Sequence, residues 1–179
     1  DFNGTSDIID IAQSSFLPPN SGDFTYSCWV NIDPSTSINI IVLLNKGDAW
    51  PGNGILIRYR SHFEVLMNGV VYAFNDVAFK NLSTPGVWRH FALVFDETAN
   101  TLTAYVDTNK HVLSATTTLN VSDANFIIGK RQNNIQYFKG QMSNLAVYSS
   151  ALTDSQISTL FNFGTPETTP SFSPAAGWK

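Results

Sequence analysis

The residues best suited to chemistry gather in two stretches of loop character. Gly47-Asp-Ala-Trp-Pro-Gly-Asn-Gly54 sets Trp50 among three glycines and a proline, with little apolar patterning. An indole in such a loop can stack on a sugar ring, whose C–H face packs against the aromatic plane. It can equally fold back over a sheet edge, so an exposed loop aromatic is a candidate and no more. Lys130-Arg-Gln-Asn-Asn-Ile-Gln-Tyr137 is dense in carboxamides and ends in an aromatic. Carboxamides carry both donors and acceptors, which suits hydroxyl-rich ligands; the plain alternative is a solvated hairpin. Together the two stretches nominate Trp50, Asn53, Gln132, Asn133, Asn134 and Tyr137 as ligand-binding residues.

Catalytic groups are scarce by comparison. Glycan hydrolysis needs two carboxyl groups flanking one bond. The chain has three glutamates, of which Glu97 falls in a turn and Glu167 in the tail, and there is no Glu-x-Asp-x-Glu cluster. A lyase would need a base with charge-neutralising partners, and His62, His90 and Arg60 are the residues available. His90 lies in a central strand, where a lone histidine is ordinarily a satisfied core residue. Cys28, the single cysteine, has no partner for an internal disulfide. Inside Phe24-Thr-Tyr-Ser-Cys-Trp-Val30 it suits packing as a small hydrophobe, and no neighbouring base is signalled that would make it a nucleophile. These residues predict a protein that is not an enzyme.

Composition narrows the partners. A chain of 179 residues, 43% hydrophobic, fits one domain with a two-sheet core. Charged residues are only 13% of it, against roughly 25% in ordinary globular proteins. Asn, Ser and Thr take their place, the surface chemistry of many secreted or capsid-like proteins. Net charge is −4 and Lys130-Arg131 is the only adjacent basic pair, so no basic stripe exists to follow a nucleic acid backbone. No apolar run approaches the roughly 20 residues of a membrane span. The chain opens at Asp1 without Met or a signal-peptide pattern, which suggests a domain of a larger polypeptide. Asn3, Asn81 and Asn120 begin Asn-x-Ser/Thr sequons, which bear glycans only in a glycosylating host.

The elements that must position these loops are strands. In Phe24 to Ile32 the residues Phe24, Tyr26, Cys28, Val30 and Ile32 share one face, opposite Thr25, Ser27, Trp29 and Asn31. Alternation of this kind marks a strand. It recurs near 38–45, 54–60, 62–67, 70–75, 87–96, 101–107, 110–115, 124–129 and 139–149. Asn68-Gly69 is a two-residue hairpin signal, because both turn positions favour positive φ. Asp107-Thr-Asn-Lys110 joins two further strands, with Asn109 expected to be left-handed. The apolar run after Arg89 predicts a central strand covered on both faces. One helix is signalled, capped by Thr153, with Ile157, Leu160 and Phe161 at helical spacing and an end at Asn162 to Gly164. Residues 165–179 form a Pro/Ser/Thr-rich tail, read as a linker or as a closing strand around Phe172 and Trp178. Short strands joined by hairpin turns predict an all-β, antiparallel two-sheet sandwich over residues 1–164.

The order of segments carries a resemblance. Phe2-Asn-Gly-Thr-Ser-Asp-Ile-Ile-Asp-Ile11 comes first, followed by Phe24 to Val30, Leu44-Asn-Lys-Gly47 and Gly86-Val-Trp-Arg-His-Phe-Ala-Leu-Val-Phe95. Leu102 to Asp107, Phe126-Ile-Ile-Gly-Lys130, Phe138 to Tyr148 and the helix from Ala151 complete the series. It resembles the laminin-G-like jelly rolls of the concanavalin A-like lectin/glucanase class, which includes the pentraxins. The resemblance implies curved antiparallel sheets, ligand sites in rim loops or on the concave face, frequent calcium binding, and duties in carbohydrate recognition or adhesion. Carried over by position, the pentraxin-like calcium ligands would be Asp48, Gln132 and Asn133, with Arg131 where an acidic ligand is expected. A separate structural calcium would fall at Asn3 and Ser143, where the expected Asp is missing at both. Calcium wants about six to eight oxygens, usually including carboxylates.

The expectation is therefore a non-catalytic module that binds a glycan or glycoprotein, on an extracellular or virion-surface protein or appended to a larger enzyme. The alternative is a structural or protein–protein module without a sugar site, since fold does not fix function.

Overall fold

A computed structural model of the chain describes residues 1–12, 22–33, 41–47, 52–60, 62–76, 84, 86–119, 124–132, 136–165 and 176–178. The strands are β1 (Phe2–Asn3), β2 (Ile9–Ile11), β3 (Phe24–Ile32), β4 (Ile41–Gly47), β5 (Gly54–Tyr59), β6 (Phe63–Met67) and β7 (Val70–Phe74). They continue as β8 (Arg89–Asp96), β9 (Thr101–Val106), β10 (Asn109–Ser114), β11 (Phe126–Ile128), β12 (Lys139–Tyr148) and β13 (Ala176–Trp178). Helix α1 (Asp154–Phe161) is followed by a short 3₁₀ turn. One sheet has seven strands in the order β1-β12-β3-β8-β9-β10, with β13 also pairing β12, and the other has six in the order β2-β11-β4-β5-β6-β7. All pairings are antiparallel. The result is the antiparallel two-sheet sandwich that the alternation predicts, in the jelly-roll form that the resemblance implies.

The predicted inner set of β3 enters the inter-sheet core. Phe24, Tyr26, Cys28, Val30 and Ile32 pack there with Ile55, Ile57, Phe63, Phe91, Leu93 and Phe126, all at most 4% exposed. At about 1.5–3 kcal/mol per buried side chain of this size, this layer dominates the folding energy. The opposite face of β3 is buried as well. Ala92, Val94, Tyr105, Ala146 and Tyr148 form a second cluster with Leu152, Ile157 and Leu160. Helix α1 thus roofs the seven-stranded sheet. Trp29 stacks on Phe161 with ring centroids 6.0 Å apart and planes 14° from parallel. Thr25 Oγ1 donates to Ser150 O at 2.8 Å and accepts from Leu152 N at 3.0 Å, which ties the strand to the approach of the helix.

The helix begins as its cap predicts. Thr153 Oγ1 accepts from Gln156 N and the Gln156 side chain accepts from Thr153 N, a reciprocal capping box. Asn162 closes it in the left-handed conformation. Asn68 and Gly69 take the positive φ that their hairpin demands, 47° and 79°. One turn differs from expectation, because the left-handed residue between β9 and β10 is Asp107 (φ 54°), while Asn109 already lies in β10. The reason is non-local. The Asp107 carboxylate accepts from His90 N and Arg89 Nη1, and its N–H donates to His90 O. Those three bonds outweigh the intrinsic preference of asparagine for the left-handed region. Alternation also passed over β1 and β2, which are too short to show a period.

Residues 176–178 pair with Val147 to Leu145 of β12. Residues 38–40 of the strand expected at 38–45, Asn81 and Asn120 of the sequons, and Phe172 lie outside the described residues.

Candidate functional site

The six-stranded sheet places its outward side chains on alternate positions. Ile55, Ile57, Val65 and Met67 enter the inter-sheet core, whereas Val42, Leu56 and Leu66 form a separate buried cluster. Asn45 pairs with Leu56 on β5 and Ile127 on β11, and it is 2% exposed. A buried carboxamide must find partners, because an unmade hydrogen bond there costs about 1–3 kcal/mol. Asn45 finds three. Its Nδ2 donates to Gly47 O at 2.7 Å and to Ile55 O at 3.3 Å, and its Oδ1 accepts from Gln132 N at 2.6 Å. One side chain therefore fastens the segment starting at Lys130 to the strand ends that carry the Gly47–Gly54 connection. This joins the two stretches nominated from the sequence.

Each loop is held further at its base. Gly129 has φ 84°, and a Cβ there would meet Phe2 Cε1 at 2.6 Å, so only glycine lets β11 turn out beside that ring. Gly129 N donates to Leu43 O and its O accepts from Phe138 N. Lys130 bridges Tyr137, Arg131 N donates to Gln136 O, and Lys130 Nζ stands 5.2 Å from the centre of the Tyr137 ring. A cation over an aromatic face holds the ring in place by about 0.5–1 kcal/mol at an exposed site. On the other loop, Gly54 exchanges hydrogen bonds with Asn68, whose Nδ2 reaches Thr118 O at 2.7 Å. Asn53 and Gln132 are exposed and Tyr137 is half-buried. Of the nominated ligand-binding residues these three are described; Trp50, Asn133 and Asn134 lie outside the described residues.

Of the carried-over calcium ligands, Asp48 and Asn133 also lie outside the described residues. The described part is Gln132 beside Arg131, a neutral amide next to a cation, and alone it does not fit a divalent ion. Among the described residues no three His, Cys, Asp or Glu side chains converge as a metal would require. At the second calcium position the oxygens serve the protein. Asn3 Oδ1 accepts from the N–H groups of Thr5, Ser6 and Asp7, and Ser143 Oγ donates to Asn144.

The candidate bases are not brought together. His62 sits on the β5–β6 hairpin, 2.9 Å from Glu64, which also receives Arg58 at 2.6 Å. His90 belongs to the other sheet, 1% exposed, with Nε2 2.9 Å from Ser27 Oγ. Burial lowers its pKa from 6.5 to about 4, so the ring stays neutral. Burial likewise pushes the Cys28 thiol up to about 12, which keeps it protonated and unreactive.

Asn45 was missed as a site residue. Its signal was an amide inside the apolar run Ile41-Val-Leu-Leu-Asn-Lys46, which only the register converts into a position beneath both loops.

Among the described residues no helix is long and apolar enough to cross a membrane. A family model described as the concanavalin A-like lectin/glucanases superfamily, of laminin-G type, matches residues 3–158. No curated protein sequence matches the chain. Among solved structures, it is similar to domain 4 of an extracellular arabinanase from Geobacillus stearothermophilus in complex with arabinotriose. That match has a TM-score of 0.67 and 20% identity, covering 88% of this chain and 73% of the other. A heptameric pentraxin from Limulus polyphemus is similar over 89% of this chain and 79% of its own, with a TM-score of 0.64 and 16% identity. A sialidase from Streptococcus pneumoniae is similar over 88% of this chain, with a TM-score of 0.66 and 19% identity, and the chain spans only 26% of it. At these identities the likeness is one of fold.

Proposed function

The chain belongs to the concanavalin A-like lectin/glucanases superfamily, and from that premise we propose that it is a non-catalytic carbohydrate-recognition module. It serves as one part of a longer polypeptide, secreted or displayed at a cell or virion surface. The observation that carries this reading is the Asn45 clamp, which holds the Gly47–Gly54 and Lys130–Tyr137 segments to one strand end. The described bases of these two amide- and aromatic-bearing stretches are anchored on one sheet, which suits the hydroxyl recognition that sugars require. The arabinotriose held by the arabinanase domain supports the ligand class. In this reading Trp50 supplies the stacking face, and Asn53, Gln132, Asn133, Asn134 and Tyr137 supply further contacts to the sugar. Were calcium held by Asp48, Gln132 and Asn133, a chelator would weaken binding.

A glycan array run with the purified protein, once with calcium and once with EDTA, tests this. Specific hits are expected, and Trp50→Ala should weaken them at least tenfold with an unchanged melting temperature. Unchanged affinity in that variant would move the site elsewhere. A blank array in both conditions would favour a structural or protein–protein module. For that reading the relevant observation is the pair of outer strands β7 and β10, which expose Val70, Val71 and Val112. Sedimentation analysis would then show self-association.

A further inference from the structure

The seven-stranded sheet carries a second feature with sugar-binding chemistry. Trp88 is 39% exposed, the one aromatic among the exposed large hydrophobic residues whose side-chain burial is described; the adjoining Val87 is 37% exposed. Arg89 pairs with Val30, so Trp88 stands level with Asn31 across the ladder. On the far side of β3, Asn31 pairs with Gln141, and Asn31 Nδ2 donates to Gln141 Oε1 at 3.2 Å. That bond uses one donor and one acceptor of the pair and leaves Asn31 Oδ1 and Gln141 Nε2 to meet hydroxyl groups. Asn31, Asp33, Gly86 and Gln141 line a shallow cleft of about 340 Å³.

We propose that Trp88, Asn31 and Gln141 form a second carbohydrate subsite, with the indole as stacking face and the two amides as hydroxyl partners. Its ligand is a neutral sugar. The described side-chain cations at this end face carboxylates, Lys139 towards Asp33 at 3.4 Å and Arg89 towards Asp107 at 2.7 Å, so among the described side chains a uronate or sialate would meet no uncompensated positive charge. The subsite is separate from the Asn45 clamp. It lies where β3 ends, whereas Phe24 at the start of β3 packs near Leu44, Ile55 and Phe126 on the other sheet. Two subsites on one module raise avidity for a polymer without raising the affinity of either.

The test uses the intact protein. N-bromosuccinimide oxidation of each tryptophan is followed by mass spectrometry in the presence of arabinotriose, xylotetraose and cellotetraose, with 3′-sialyllactose and trigalacturonate as anionic arms. Trp29, 3% exposed, is the unreactive reference. At least one neutral probe is expected to slow Trp88 oxidation threefold or more. Titration calorimetry of that probe should then show tenfold weaker binding for Trp88→Ala, with Trp88→Phe recovering most of it. Trp88 oxidised at one rate with every neutral probe overturns the proposal, and protection by the anionic sugars alone overturns the ligand assignment. Trp50 is read in the same spectra: protection there without protection at Trp88 sinks this subsite and leaves the clamp site standing, and the converse does the reverse.

Discussion

Acidification should loosen the helix roof of this sandwich through one residue, His90. Its ring is 1% exposed, its Nδ1 is buried without a hydrogen-bond partner, and its centroid lies 5.4 Å from Trp29 and 6.1 Å from Phe161. Protonation there puts a charge among aromatic rings beneath α1, with the Ser27 hydroxyl at its Nε2 and the Asp107 carboxylate occupied by the backbone N–H and by Arg89. The folded pKa of about 4 lies below the ordinary 6.5. The fold thus prefers the neutral ring, and its stabilisation is complete above pH 6.5 and lost as pH falls towards 4. At about 1.4 kcal/mol per pH unit, the full span is worth roughly 3 kcal/mol. Integrating the same two pKa values, about 2 kcal/mol of it is gone at pH 5. Urea unfolding of the wild type and His90→Gln at pH 7.5 and pH 5.0 measures this. The variant starts less stable, but only the change with pH matters, because His62, His111 and the carboxylates are common to both proteins and cancel. The wild type should lose about 2 kcal/mol more than the variant over that interval. Equal losses would refute the reasoning, and so would a His90 imidazole titrating near 6.5 by NMR.

Three further outcomes follow from the geometry. Asn45→Ala should cost about 1–3 kcal/mol, since it removes the side-chain acceptor of Gln132 N and the side-chain donor to Gly47 O and Ile55 O, and should raise hydrogen exchange at Gln132; Asn45→Asp, which keeps the acceptor, should restore protection at Gln132 though not full stability. Gly129→Ala would drive a Cβ to within 2.6 Å of Phe2 at a positive φ, so a loss of about 2 kcal/mol or more and shifted Phe2 ring signals are expected by NMR; a neutral result would mean the loop base is plastic. Thr153→Ala removes the helix cap and should cost about 1 kcal/mol in urea unfolding, with near-ultraviolet circular dichroism of the Trp29–Phe161 stack reporting the same loosening.

Local chemistry was enough for the elements. Alternation marked β3 because a side-chain period of two is a property of the strand itself. Asn68-Gly69 and the Thr153 cap were legible because positive φ and an orphan helix N–H are satisfied within a few residues. The eight ordered segments, seven of strand and turn character and one helical, together carried the resemblance that implied the jelly roll. What the sequence left open was set by partners far away in the chain. Thr25 and Ser27 look solvent-facing in the alternation, yet they are buried, because residues 150–161 return to cover them. The left-handed position went to Asp107 because its carboxylate meets Arg89 and His90 across the ladder. Of the candidate site, the sequence marked both loops by composition, and it could not show Asn45 joining them. That joining rests on a register that brings residues 87 positions apart to 2.6 Å, a non-local contact that no periodicity or turn propensity encodes.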